Sequence, residues 1–331
     1  MNSNPPHGRR EVPTMRGIHH VTAIAGRPSV NLDFYSRTLG LRFVKKTVNF
    51  DDPSTYHFYF GDEMGNPGTI LTFFPWEHAA PGRGGVGLAQ TTAFRAPAAS
   101  IAYWAHRFVE KGVKHAAPTK ILGEPVISFV DPDGMSLALV GVAGAKAEKA
   151  WGAADIPAEH AIRGFHGVTL LLDAVAPTAA ILTDVLGFTE AGREGALVRF
   201  RANDDVGGVV DIREAKGFLP GRMGRGSVHH VAFRAKNDAE QADMARKLLR
   251  NHALHPTEQK DRQYFRSIYF REPGGILFEI ATDEPGFTID EPLATLGTEL
   301  KLPGFLEQQR KDLEAVLPSL ALIASPLFRA Q

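Results

Sequence analysis

The heptad RGIHHVT, Arg16 to Thr22, returns 147 residues later as RGFHGVT, Arg163 to Thr169, with five of seven positions identical. Nothing else in the chain constrains its fold as strongly, because a repeat of this length means one structural unit used more than once. Each copy precedes a helical stretch that ends in Leu-Gly: NLDFYSRTLGLRF (Asn31 to Phe43) and PTAAILTDVLGFTE (Pro177 to Glu190). Glycine after the last periodic apolar residue is a helix-stop signal. A second pair is AFRA, at Ala93 to Ala96 and at Ala232 to Ala235. Helical patterns follow both copies, SIAYWAHRFVEKG (Ser100 to Gly112) and DAEQADMARKLLRNH (Asp238 to His252). Each then leads to a Gly-containing turn and an apolar strand, DPDGMSLALVG (Asp131 to Gly141) and EPGGILFEIAT (Glu272 to Thr282). The chain thus reads as four units starting near Gly17, Val86, Gly164 and Val228, each of order βαβββ, which predicts an α+β fold.

Around these units the expected divisions are a flexible arm at 1–14, an N-terminal domain at 15–142 holding units one and two, and an Ala/Gly-rich linker at 143–162. A C-terminal domain at 163–302 holds units three and four, and a helix with an apolar tail occupies 303–331. Lys+Arg and Asp+Glu both number 37, so the formal charge is zero and nucleic-acid binding has no electrostatic support. There is no cysteine, which excludes disulfides, thiolate metal sites and cysteine nucleophiles; any metal must be held by His, Asp, Glu or Tyr. No apolar run approaches the roughly 20 residues that span a bilayer. The N-terminus lacks a signal-peptide pattern, so no membrane association and a cytoplasmic address are expected.

The repeat allows equivalent positions to be compared. His20 matches Gly167, His230 matches Thr91, and Glu279 matches Ala138. Laying GTILTF (Gly68 to Phe73) on GGILFE (Gly274 to Glu279) places Phe73 opposite Glu279. Ligand-capable side chains therefore gather in units one and four. Two histidines and one carboxylate with open positions are the donor set suited to non-haem Fe(II), with Mn(II) also accepted. Glu279 lies among apolar neighbours in ILFEI, where a buried charge is costly unless paired or bound to a metal. Strand alternation sets His20 and Thr22 on one face and His19 and Val21 on the other, without telling which face looks into the site.

These residues, with YHFYFGDEMGNPGT (Tyr56 to Thr69), EHAIRGFH (Glu159 to His166), DRQYFRSIYFREPGGILFEIAT (Asp261 to Thr282) and LGTELKLP (Leu296 to Pro303), resemble the vicinal oxygen chelate superfamily. Within it the chain looks most like the extradiol-type dioxygenases that cleave para-hydroquinone rings. The resemblance implies the glyoxalase/bleomycin resistance/extradiol dioxygenase fold, with two paired cup-shaped sheets. It implies Fe(II) on His20, His230 and Glu279, O2 as co-substrate and an aromatic diphenol as substrate. It places His19, Thr22, His229, Arg262 and Tyr269 around the metal. His229 is expected as general base because an unperturbed imidazole titrates near neutrality. Tyr269 is expected as a hydrogen-bond donor and Arg262 as a stabiliser of developing negative charge. Each has an ordinary reading as well: a solvated Arg262 and Tyr269, Thr22 as a β-former, His57 and His166 as structural side chains. The aromatics of TFFPW (Thr72 to Trp76) are expected to line the pocket or to be plain core. The expected function is Fe(II)-dependent cleavage of hydroquinones, chlorinated or alkylated ones included. The alternatives are a catechol extradiol dioxygenase on the same metal and a non-catalytic aromatic- or antibiotic-binding protein. A homo-oligomer is a further option, since the tail VLPSLALIASPLF (Val316 to Phe328) has apolar surface to cover.

Overall fold

In unit one, β1 (Ile18–Ala25) leads through α1 (Pro28–Asp33) and a π-helical turn, Phe34–Thr38, to β2 (Arg42–Asn49), β3 (Asp52–Gly61) and β4 (Ile70–Pro75). The other three units repeat that order. Unit two holds β5 (Leu88–Pro97), α2 (Ile101–Glu110), β6 (Thr119–Ile121), β7 (Glu124–Val130) and β8 (Ser136–Val142). Unit three holds β9 (Phe165–Leu172), α3 (Ala176–Asp184), β10 (Thr189–Glu194), β11 (Leu197–Arg201) and β12 (Val209–Glu214). Unit four holds β13 (Ser227–Ala235), α4 (Asp238–His252), β14 (Lys260–Asp261), β15 (Phe265–Arg271) and β16 (Leu277–Pro285). This computed structural model describes residues 17–153 and 155–320. The arm expected at 1–14 and the end of the apolar tail lie outside the described residues.

Hydrogen bonding joins unit one to unit four and unit two to unit three. The first eight-stranded sheet runs β14-β15-β16-β13-β1-β4-β3-β2, and the second runs β10-β11-β12-β9-β5-β8-β7-β6. Each sheet is thus two four-stranded halves joined by an antiparallel pair of first strands, β1 with β13 and β5 with β9. The sequence explains why those strands take the centre. All eight residues of β1 (IHHVTAIA) are buried, as expected of a strand flanked on both sides and covered on both faces. The helices pack on the outer faces. In α2 the residues Ile101, Trp104 and Phe108 are buried at helical spacing, and the core they join includes Phe94 and Leu139. At the start of α4, the Asn237 side chain accepts from the Glu240 backbone N–H, and the Glu240 carboxylate accepts from the Lys236 N–H, so two otherwise orphaned donors are satisfied. The linker is fastened by Arg163 from the repeated heptad, which donates to the carbonyls of Ala145, Ala158 and Ala161 at 3.1, 2.7 and 2.7 Å. The C-terminal segment expected as one helix is a 3-10 stretch, Gly304–Gln309, followed by α5 (Arg310–Val316). Among the described residues no helix is long and apolar enough to cross a membrane.

Candidate metal centre

The antiparallel register of β1 and β13 sets His20 opposite Ala232 and Thr22 opposite His230. The two histidines are therefore related by a local two-fold axis at the centre of the sheet. Strand β16 runs parallel to β13 and brings Glu279 beside Ala232. His20 Nε2 and His230 Nε2 lie 3.3 and 2.9 Å from Glu279 Oε2, and 3.4 Å from each other. All three side chains are buried, and among the described residues they form the one cluster of donors placed to share an ion. A cation bonded to nitrogen and oxygen at about 2.1 Å holds its ligand atoms roughly 3.0–3.4 Å apart, so the spacing suits a bound ion. Glu279 Oε2 is buried without a hydrogen-bond partner, while Ser267 donates to Oε1. Burial alone would raise the Glu279 carboxyl, but His20 and His230 beside it hold it well below the usual carboxylate range. Burial lowers the His230 imidazole despite the carboxylate, which favours the neutral form a metal needs.

The geometry explains the doublets. His20 Nδ1 lies 2.9 Å from His19 Nδ1, and His230 Nδ1 lies 2.8 Å from His229 Nδ1. An imidazole that offers Nε2 to a metal carries its proton on Nδ1 and needs an acceptor there. With an ion on Nε2, each doublet would supply a ligand and, one residue earlier, the group that fixes that ligand's tautomer. That arrangement would leave the remaining proton of His19 and of His229 on Nε2. Burial, with His230 nearby, pushes the His229 imidazole down to about 3. With an ion on His230 Nε2, the His229 Nδ1 would accept from the His230 Nδ1–H and His229 would keep an N–H at Nε2.

A cavity of about 420 Å³ opens beside the three donors. His229, Tyr269, Arg262 and His57 line it, with Phe74, Trp76, Phe265 and Leu277 as apolar wall. His19 lies behind His20, buried. Arg262 Nε donates to the Tyr269 hydroxyl at 3.1 Å, and its Nη2 reaches Asp51 at 3.0 Å. Burial and Glu279 push the Tyr269 phenol above its ordinary range, so it keeps its proton. Arg262 donates to its oxygen, and Ser267 is a second side-chain hydrogen-bond partner. Thr22 lies opposite His230 in the register, and its Oγ1 lies 2.8 Å from Thr72 Oγ1.

Phe73 is not at the position opposite Glu279. The register pairs Thr22 with Thr72 and Ala23 with Phe73, and Phe73 packs into the core against Tyr35 at 4.5 Å. Thr72 takes the place that the repeat alignment gave to Phe73. Of the TFFPW aromatics, Phe74 and Trp76 face the cavity, and Asp52 accepts from Trp76 Nε1 at 3.2 Å. Sequence reasoning also missed Ser267 and Asp51. Ser267 was readable by alternation, two residues before Tyr269 on the same face of β15. Asp51 sits in the β2–β3 turn and carried no signal.

The second sheet forms a smaller cup of about 270 Å³. Gly167 stands where His20 stands in the first, and a Cβ there would lie 2.1 Å from the Val209 carbonyl oxygen, so no larger side chain fits. Asp211 lies beside Thr169 in the register of this cup. Its partner is Arg199, which donates from Nε and Nη2 to the two carboxylate oxygens at 2.8 Å each. Arg199 also reaches Glu124, which takes further contacts from Arg201 at 2.9 Å and His166 at 3.1 Å. Against the cost of burial, His166 and Arg199 hold the Glu124 carboxyl down to about 2. One cup gathers donors around an acid; the other neutralises its acid with an arginine.

Comparison with known proteins agrees with this architecture. The sequence profile described as Glyoxalase/Bleomycin resistance protein/Dioxygenase superfamily matches residues 17–139 and 164–280. The chain is 45% identical over 300 residues to a Bacillus subtilis protein named "Putative ring-cleaving dioxygenase MhqO", covering 90% of this chain and 94% of that one. It is 32% identical over 305 residues to the "Chlorohydroquinone/hydroquinone 1,2-dioxygenase" of Sphingobium indicum, covering 90% and 95%. Among solved structures, a Bacillus subtilis protein described as a "putative dioxygenase" superposes with a TM-score of 0.88 at 42% identity, covering 94% of this chain and 99% of that one.

Proposed function

The chain belongs to the glyoxalase/bleomycin resistance protein/dioxygenase superfamily, and from that membership we propose that it is an Fe(II)-dependent dioxygenase that opens the ring of para-hydroquinones with O2. The observation that carries the reading is the convergence of His20, His230 and Glu279 at the floor of an aromatic-walled cavity. The proposed substrate class, hydroquinone with or without chloro or alkyl substituents, is supported by the relative named for chlorohydroquinone and hydroquinone. When bound, the iron supplies a common centre for a phenolate oxygen and O2, which brings the co-substrates together and makes the phenol easier to ionise.

The chain's own residues then do the following. Tyr269 and His229, both in the cavity lining, donate hydrogen bonds to the oxygen of the bound ring. Arg262, held by Asp51, keeps a positive charge against the phenol of Tyr269 and so favours negative charge in the cavity. Phe74, Trp76 and Phe265 enclose the ring and exclude water. The second hydroxyl of a para-hydroquinone lies across the ring from the first, and the cavity lining offers polar side chains to it, Asn49 and Lys260 among them. Both oxygen atoms enter the product, and the bond between a hydroxylated ring carbon and its neighbour breaks, leaving a carboxylic acid and, from a neighbour that bears hydrogen, an aldehyde, or from one that bears chlorine, an acyl chloride.

The test is oxygen uptake. After anaerobic loading with Fe(II), hydroquinone and air are expected to give about one O2 consumed per ring opened, as dioxygenase chemistry at a metal requires. Catechol is expected to turn over at least about tenfold more slowly, a difference near 1.4 kcal/mol in barrier. Faster catechol turnover would transfer the assignment to catechol cleavage. No uptake with any diphenol would overturn it.

A further inference from the structure

The cup of the second sheet stands open where that of the first is partly filled. In the first, the chain that follows β16 folds back over the sheet, and its Phe287 and Leu296 are buried with Tyr59, Ile70, Ala232 and Ala281. The chain that follows β8 is held elsewhere. Arg163 fastens it at Ala145, Ala158 and Ala161, and Arg107 Nη2 lies 3.0 Å from Asp155 Oδ2. None of residues 143–162 lines the second cup, and a space of about 270 Å³ is left there. That is close to the lower end of small-molecule pockets, roughly 300–1,000 Å³.

The lining has an apolar part and a charged part. Val126, Ala138 and Val140 form a buried apolar cluster, with Ile121 packed against it. Arg199, Asp211 and Arg213 also line the cup, and alternation sets Asp211 and Arg213 on the same face of β12. The charges do not cancel. Asp211 pairs with Arg199, and Glu124 takes Arg199 and Arg201, so two carboxylates meet two guanidiniums. Arg213 is a third guanidinium, half-buried, with no hydrogen bond or ion pair among the described residues. The side-chain hydroxyls of Thr169 and Ser128 line the same cavity and have no partner there either. A guanidinium without an acceptor is matched best by a carboxylate, which takes two of its N–H bonds in one plane.

We propose that the second cup is a binding site for a small monocarboxylate with an apolar body, its carboxylate on Arg213 and its body against Val126, Ala138 and Val140. Inorganic phosphate would carry more charge than one spare guanidinium matches and would have nothing to lay on the apolar wall. The acid released by ring opening is of the monocarboxylate class, but the site rests on its own lining and not on the reading of the first cup.

The probe is benzoate, titrated by calorimetry into the full chain loaded with Co(II), whose visible absorption reports any ligand that reaches the first cup. Benzoate is expected to bind at least about tenfold more tightly than benzyl alcohol, which has the ring without the charge. The same margin is expected over acetate, which has the charge without the ring. Arg213→Met should weaken benzoate by at least about tenfold and leave benzyl alcohol as in the parent. Since Arg213 has no partner, its replacement strands no buried group. Ala138→Leu, which takes up part of the cavity, should weaken benzoate by a similar factor; if that variant does not fold, Arg213→Met decides the matter. The Co(II) absorption should stay the same throughout. Benzoate bound no more tightly than benzyl alcohol or acetate would overturn the proposal, as would an affinity unchanged in Arg213→Met. So would a Co(II) absorption that moves in step with binding, which would put benzoate in the first cup.

Discussion

Replacing Glu279 by alanine is expected to leave a folded protein whose melting temperature no longer responds to divalent metal. The carboxylate is fully buried, with one oxygen bonded by Ser267 and the other left to the two imidazoles. Without it, two neutral histidines remain, and the compensating negative charge is gone. Loss of groups that merely support a metal ligand weakens binding by about 10- to 100-fold, so loss of the ligand should exceed about 100-fold. At a metal concentration of about 100 times the Kd, binding stabilises a protein by about 2.7 kcal/mol. The parent should show a shift of that order, and Glu279→Ala close to none. Fold is retained because β16 is held by β13 and β15 through its backbone. A variant that keeps the parent's metal response would show that the ligand set is wrong.

The second large effect belongs to the other cup. Arg199→Met is expected to destabilise the protein by about 3–5 kcal/mol, because it leaves Asp211 as an unpaired buried charge. Both residues are buried, at 5% and 6% exposure, and the guanidinium engages both carboxylate oxygens. Adding Asp211→Leu should recover most of the loss, since replacing a buried pair by apolar side chains is often neutral or better. Urea denaturation reads both changes. Co(II) binding to the first cup should stay as in the parent. An Arg199→Met loss below about 1 kcal/mol, the range of a solvated pair, would mean that water reaches the pair and that the second cup is not sealed.

The four units were legible because a βαβββ pattern is local: turn residues, helix stops and apolar strands each leave a mark within a few positions. Which unit pairs with which left no such mark, because the backbone bonds of β1 to β13 and of β5 to β9 depend on register between distant segments. The histidine doublets carried the hint, since the only two units with a doublet are those that share a sheet. His20, His230 and Glu279 stood out in the sequence because each contrasts with an inert residue at its repeat partner. Thr72 and Asp211 did not, and the reason is physical. A strand alternates faces with period two, so the one-residue slip in laying GTILTF on GGILFE put a core phenylalanine where an inward threonine belongs. The behaviour of His229 was also closed to the sequence. Its burial and the Nδ1–Nδ1 contact with His230 come from β13 sitting at the sheet centre, not from any residue nearby in the chain.

The most direct test of the account is to locate the ion. Crystals grown anaerobically with Fe(II) or Mn(II) should show one anomalous-scattering peak per chain, within about 2.4 Å of His20 Nε2, His230 Nε2 and a Glu279 carboxylate oxygen, a distance set by ordinary metal–ligand bonds. The peak should have no contact of that length to Thr72. A peak elsewhere, or one that omits any of the three donors, would contradict the claim on which the proposed chemistry stands.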